Sequence, residues 1–235
     1  MNTSADAGRA SGRRVNLNSD YRPLRERVRD EIRERIINGD YAPGARIIER
    51  EIADELGVSR IPIRESLRML EIEGFVAVLP RKGVVVKALS ESDVRKLFEV
   101  REALEVCATR LAASNASDAD ITRLRKLLER AEQADAKGAV DKVQQANVGF
   151  HDELIKICGN EILGGLLEPL QGRLHWLFRQ HAHPGDLVAE HRALLEAVAS
   201  RDPEQATEAA MAHVQTNRER ALKWLFHTEE QAGEA

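Results

Sequence analysis

The chain has 235 residues, of which 43% are hydrophobic, only 4% aromatic and 31% charged, and its formal net charge is −4. That length suits one large or two modest domains, and a composition rich in Ala, Leu, Glu and Arg favours helices. No apolar run approaches the roughly 18 residues of a membrane span, residues 1–20 lack the apolar stretch of a secretory signal, and two distant cysteines, Cys107 and Cys158, do not make a disulfide scaffold. The expectation is a soluble, cytoplasmic protein with no membrane partner.

The charge is unevenly placed. Residues 1–87 carry 17 Lys/Arg against 14 Asp/Glu, a net of +3, while residues 88–235 carry 18 against 25, a net of −7. Opposite signs suggest a basic module that meets a polyanion and an acidic module with another task.

In chain order, "MNTSADAGRASGRRVNLNSD" is polar and without periodicity, and reads as a flexible arm over residues 1–20. Leu24, Val28, Ile32 and Ile36 then recur at four-residue steps, predicting a helix that "NGDYAPG" stops. "EREIADELG" predicts a second helix with Ile52, Ala53 and Leu56 inward and Gly57 at its end. Only "VS" separates it from a third, in which Ser59 stands at the N-cap and Pro62 in the first turn. Here Ile63, Leu67 and Leu70 form one face and Arg60, Arg64 and Arg68 another. After Gly74, "FVAVLPRKGVVVKAL" predicts two strands around a basic tip. Helix, tight turn, helix and hairpin make a winged helix-turn-helix over residues 21–88.

"SESD" at 90–93 caps a new helix, and the rest is helical. Segments at about 94–113, 117–135 and 139–158 are followed by one with a bend expected near Gly164, Gly165 and Pro169, and then by "PGDLVAEHRALLEAVASRD" and "PEQATEAAMAHVQTNRERALKWLF". The predicted fold is mostly α, with the winged module followed by an all-helical bundle of six or seven helices over residues 91–228.

The cationic helix admits two readings. It is either a solvated face paired with nearby acids such as Glu65 and Glu71, or a surface for duplex DNA. In a helix-turn-helix the second helix enters the major groove, N-terminal residues foremost. An arginine fork there can bond a guanine edge or clamp phosphate, which makes Arg60 and Arg64 candidates. Ser59 can donate to phosphate, Arg50 can reach the flanking strand, and Arg81, Lys82 and Gly83 place charge and a close backbone approach at the wing tip.

"PGARIIEREIADELGVSRIPIRESLRMLEIEGFVAVLPRKGVVV" resembles the winged helix-turn-helix of GntR-type bacterial transcription regulators over the whole module. That resemblance implies DNA contacts at Arg50, Ser59, Arg60, Arg64 and Gly83, with Lys82 beside them. Ile61 and Pro62, between the arginines, are less polar than in some relatives, and meet either a thymine methyl or nothing.

In the helical half, Asn147 and His151 lie four residues apart on one helix face. His191 and His213 fall on two later helices, each flanked by the apolar stripe. His175, His181, His183 and His227 lie near helix ends or exposed stretches. Three inward imidazoles are either satisfied core residues or ligands of a shared cation. "NVGFHDELIKICGN", "EHRALLEAVASRDPEQATEAAMAHV" and "LFEVREALEVCATRLAA" resemble the FCD effector domain of the FadR-type branch. The resemblance implies a divalent metal on Asn147, His151, His191 and His213, with Asn147 standing where many relatives have Asp. Such a donor set suits zinc, with nickel or another transition metal as alternatives. It further implies Arg101 as a cationic partner to an organic-acid effector, unless Glu102 or Glu105 claims that guanidinium. The expected function is a dimeric, ligand-responsive repressor on a pseudo-palindromic DNA operator. The competing expectation is a metal-dependent enzyme using the three histidines, but there is no HExxH, Gly-rich nucleotide loop or nucleophile motif.

Overall fold

The computed structural model describes residues 21–179 and 184–226; the arm expected at 1–20, His181, His183 and His227, and the end of the expected helical region, lie outside them. The chain divides into two compact units that part between Lys87 and Ala88.

In the first unit, α1 (Leu24–Asn38) buries Val28, Ile32 and Ile36, the residues whose four-step spacing marks it in the sequence. Helix α2 (Glu49–Leu56) buries Ile52 and Ala53, and α3 (Arg60–Ile72) buries Ile63, Leu67 and Leu70. Between α2 and α3 the chain reverses at Gly57, whose φ of +66° a side chain would oppose and whose N–H donates to the Ala53 carbonyl. Phe75 closes this core, fully buried.

Ser59 holds the N-cap position of α3, yet its side chain makes no capping bond. The physical reason lies three residues on. A serine cap normally accepts from the N3 amide, and that position is Pro62, which has no N–H to give. The hydroxyl is therefore left over at the front of α3.

The wing is β2 (Val76–Leu79) and β3 (Gly83–Val86), antiparallel with Leu79 opposite Gly83. A third strand, β1 (Arg46–Ile47), pairs with the other edge of β3, placing Arg46 opposite Val85, so the sheet order is β1-β3-β2. Two residues are too few to show an alternating pattern, which is why the sequence gives no sign of β1.

The second unit has six helices among the described residues: α4 (Glu91–Asn115), α5 (Asp118–Asp135), α6 (Val140–Cys158), α7 (Glu161–Arg179), α8 (Pro184–Ala199) and α9 (Pro203–Phe226). Full capping boxes start α4 (Ser90 with Asp93) and α5 (Ser117 with Asp120). The bend expected near Gly164, Gly165 and Pro169 does not interrupt α7, which runs through Pro169 as one helix.

Ala108, Ala112, Leu124, Phe150, Leu154, Leu194, Val198 and Ala210 build the larger core of this unit. A smaller one gathers Val94, Leu97, Phe98, Leu174, Val214 and Leu222. A polar island of Arg101, Glu105, Thr109, His191, His213 and Asn217 is buried with them. Buried charge needs partners, and those partners define the site.

Candidate functional site

On the first unit, Ser59, Arg60, Arg64, Arg50, Arg81 and Lys82 are all exposed. Arg60 and Arg64 do not project freely. Arg60 Nη2 donates to Glu49 Oε2 at 3.3 Å, and Arg64 donates to the same carboxylate from Nη2 at 3.1 Å and Nε at 3.3 Å. Their partner is thus the first residue of α2, not Glu65 or Glu71. The Arg64 hydrogen bond, with help from Arg60 and against partial burial, holds the Glu49 carboxyl below its usual range. Both guanidinium side chains remain more than half exposed, and a pair in that setting contributes only about 0–1 kcal/mol. Glu49 therefore orients two forks that stay available to another acceptor.

At the wing tip, Arg81 and Gly83 take positive φ of 65° and 77°, and the Lys82 N–H donates to the Leu79 carbonyl at 3.2 Å. Gly83 lies beside the Arg46 guanidinium, which a Cβ would approach to 3.8 Å. Arg46 and Glu49 are members of this surface that the sequence reading did not single out.

In the second unit the three expected histidines come together. One ring nitrogen from each of His151 (α6), His191 (α8) and His213 (α9) lies within 4.8 Å of the others. His151 and His191 face each other through Nε2 atoms at 3.2 Å. His191 is stacked on Phe150, centroids 4.8 Å apart, which sets its plane. Helix α4 supplies charge to the same place. Arg101 Nε donates to Glu105 Oε2 at 2.5 Å and Nη2 to Oε1 at 3.3 Å, so of the two acids that could claim this guanidinium Glu105 does. Arg101 is nonetheless not fully satisfied, because its buried Nη1 has no hydrogen-bond partner.

The donors assign the tautomers. A guanidinium only donates, so His213 Nε2, 3.0 Å from Arg101 Nη2, is the acceptor. His213 Nδ1 then carries the hydrogen and faces Glu190 Oε2 at 3.1 Å. Glu190 is held in turn by Asn217 Nδ2 at 2.7 Å and Arg220 Nη2 at 2.7 Å. His151 Nδ1 faces Glu105 Oε1 at 3.3 Å, which leaves its Nε2 lone pair toward His191. Burial lowers the His151 pKa to about 4 and pushes that of His191 well below the ordinary value, so both rings are neutral at physiological pH. Burial works the other way on Glu105, but Arg101 and the histidines outweigh it and hold its pKa down at about 2. Neutral imidazoles are the form that a metal ion requires, and carboxylates orient two of the three, His151 and His213. An ion on His213 Nε2 would have to displace the Arg101 N–H from it.

Asn147, one turn before His151 on α6, has a buried Oδ1 without a hydrogen-bond partner. An amide oxygen left unpaired in the interior costs about 1–3 kcal/mol unless something occupies it. Glu190, Asn217 and Arg220 were not anticipated as part of the cluster, and Glu105 only as a claimant on Arg101. Two signals were available: Glu105 follows Arg101 by four residues, and Asn217 follows His213 by four. Neither Asp152 nor Glu153 joins it, the first being exposed and the second bonded to Arg123.

Residues 24–86 match the model of the bacterial regulatory proteins of the gntR family, and residues 96–216, just over half of the chain, match that of the FCD domain. The chain belongs to the GntR family. It is a DNA-binding transcriptional regulator with an FCD domain, and its relatives are regulators, not enzymes. It is 33% identical to the HTH-type transcriptional regulator YdhC of Bacillus subtilis (strain 168), across 78% of this chain and 84% of that one. The structure of McbR from E. coli, 25% identical, superposes with a TM-score of 0.73, covering 89% of this chain and 98% of its own. A metal-free FCD domain, 21% identical with a TM-score of 0.51, shares the fold over 60% of this chain and 99% of its own. FCD domains bind metals, and in this GntR regulator the three-histidine cluster lies within the FCD match. No described helix is long and apolar enough to cross a membrane.

Two outcomes follow from this geometry. Glu105→Ala leaves a buried guanidinium uncompensated and should cost about 3–5 kcal/mol in denaturant unfolding, whereas the apolar pair Arg101→Met with Glu105→Leu should recover most of that loss. Glu49→Gln frees Arg60 and Arg64 and removes a negative charge from the basic face. Its affinity for an unrelated duplex, read by fluorescence anisotropy at low salt, should rise about fivefold, the equivalent of about 1 kcal/mol.

Proposed function

We propose that this GntR regulator is a cytoplasmic homodimeric repressor, released from a pseudo-palindromic operator by a small organic acid bound beside a divalent metal. On this reading residues 21–88 form the DNA-binding domain and residues 91–228 the effector-binding and dimerisation domain. Two copies of α3 enter successive major grooves about 34 Å apart. Arg60 and Arg64 exchange Glu49 for guanine edges or phosphate, and the uncapped Ser59 hydroxyl donates to phosphate. Arg50, Lys82 and Gly83 follow the flanking backbone.

The observation that carries the effector half is the convergence of three imidazole nitrogens within 4.8 Å, two of them on rings whose pKa burial lowers. His151, His191, His213 and the unpartnered Asn147 Oδ1 are the donors that would hold the ion. Three imidazoles and one amide oxygen suit zinc first, then nickel or another transition metal. A bound divalent ion supplies a positive centre for an effector's carboxylate. Arg101 adds a second through its unpaired Nη1 while Glu105 keeps the rest of the guanidinium in place. An effector alters DNA affinity only by binding the two arrangements of the dimer unequally.

For the DNA half, Arg60→Ala or Arg64→Ala should each cost about 1–3 kcal/mol of operator binding, measured on the DNA upstream of the protein's own gene. Unchanged binding by both variants would refute the assignment. For the metal half, the purified protein should retain a stoichiometric ion by mass spectrometry after dialysis, and His151→Ala with His213→Ala should lose it. An ion kept by that double variant rules out these ligands.

A further inference from the structure

The first turn of α3 carries an apolar side chain where a DNA-reading helix has least reason to keep one. At about 100° per residue, Ile63, Leu67 and Leu70 cluster on one side of α3, and all three are buried. Ile61 falls on nearly the opposite side and is 71% exposed. It shares that outer stripe with Arg64 and Arg68, three and seven residues on, and stands closest to the helix N-terminus. Exposure by itself is ordinary for a lone isoleucine. Position makes this one different, because Arg60 and Arg64, which by the same step both fall to one side of it around the helix, are drawn toward Glu49 of α2. The guanidinium groups leave Ile61 uncovered.

Its surroundings also limit how else the first turn can meet DNA. Pro62 removes one of the front amide donors that would otherwise take a phosphate. A β-branched side chain in a helix is held to one strongly preferred χ1 rotamer, so Ile61 presents a stiff hydrocarbon knob with little ordering cost. In the major groove the apolar group on a base edge is the C5 methyl of thymine. We propose that Ile61 is a specificity-determining residue that packs on a thymine methyl in each operator half-site, next to the base edge reached by Arg64. The claim rests on the proposed entry of α3 into the major groove and deepens it by fixing one base of the recognised sequence.

The test uses the full-length protein and a random-duplex pool. Wild type, Ile61→Ala and Arg64→Ala are each put through rounds of selection, and the wild-type sequence is then resynthesised with deoxyuridine replacing each thymine in turn, which removes only the methyl. Ile61→Ala exchanges an exposed side chain, and an unchanged melting temperature will confirm its fold. One thymine per half-site should be invariant for wild type. Deoxyuridine there should weaken wild-type binding about fourfold per half-site, the effect of one buried methyl-sized group. The same change should leave Ile61→Ala unaffected, and that variant should accept any base at the position. If Ile61→Ala selects the wild-type sequence while Arg64→Ala does not, the methyl contact is refuted and the arginine readout stands. If neither variant changes the selected sequence, or wild type selects none, both fall. Deoxyuridine without effect at every thymine also overturns the contact.

Discussion

Arg101 and Glu105 are the interaction around which the helical unit is arranged. Removing two ions from water costs several kcal/mol each, and their attraction offsets that only when further hydrogen bonds complete the shells. Here the pair is one turn apart on α4, buried, and extended by His151 and His213 toward a second carboxylate, Glu190, and from there to Arg220. The chain of contacts joins α4, α6, α8 and α9. Each helix therefore has a fixed rotation: turning any of them would strand a charge or a ring nitrogen in the interior. A core made only of Leu and Ala would be easier to stabilise and far less specific about rotation.

The first unit uses the same chemistry in the opposite dielectric setting. Arg60 and Arg64 meet a carboxylate as Arg101 does, but in contact with water, where the pair is weak and screened by salt. Low cost of exchange is what a reading surface needs. Glu49 can hold two forks in a starting orientation and surrender them to an acceptor of greater charge density. The Ser59 hydroxyl, denied its cap by Pro62, is likewise uncommitted. Fixed pairs within and exchangeable pairs without distinguish the two units, and on the proposed function they suit a sensing part and a reading part of a DNA-binding regulator.

Much of this is legible in the sequence. Four-residue spacing in α1, the Gly57 turn and the "PRKG" tip mark the winged module because each is a local feature with a local cause. The capping boxes at Ser90 and Ser117 are equally visible. His151, His191 and His213 could be singled out by their apolar flanks, but whether they meet depends on the rotation of three helices far apart in sequence, which no local pattern encodes. Glu190 shows the limit best. It stands beside His191, yet it serves His213, twenty-three residues on, because two neighbours on a helix point in different directions. Strand β1 was hidden for a different reason, being only one period of its own pattern long.

Charge balance in the buried cluster gives the proposed sensor a direction. Glu105 and Glu190 offset Arg101 and Arg220, and the neutral rings of His151 and His191 add nothing. Asn147, an amide, brings no charge where a carboxylate would bring one. On the proposed ligand set a divalent ion is therefore uncompensated, and a buried excess of that size favours an anion strongly. An effector carboxylate would tighten the ion's hold as the ion tightens the effector's, by the same factor in each direction. An aspartate at position 147 would weaken that coupling by supplying part of the missing charge permanently. On the proposed function the amide would thus make ion and organic acid depend on each other, and the DNA-binding half would respond to both together.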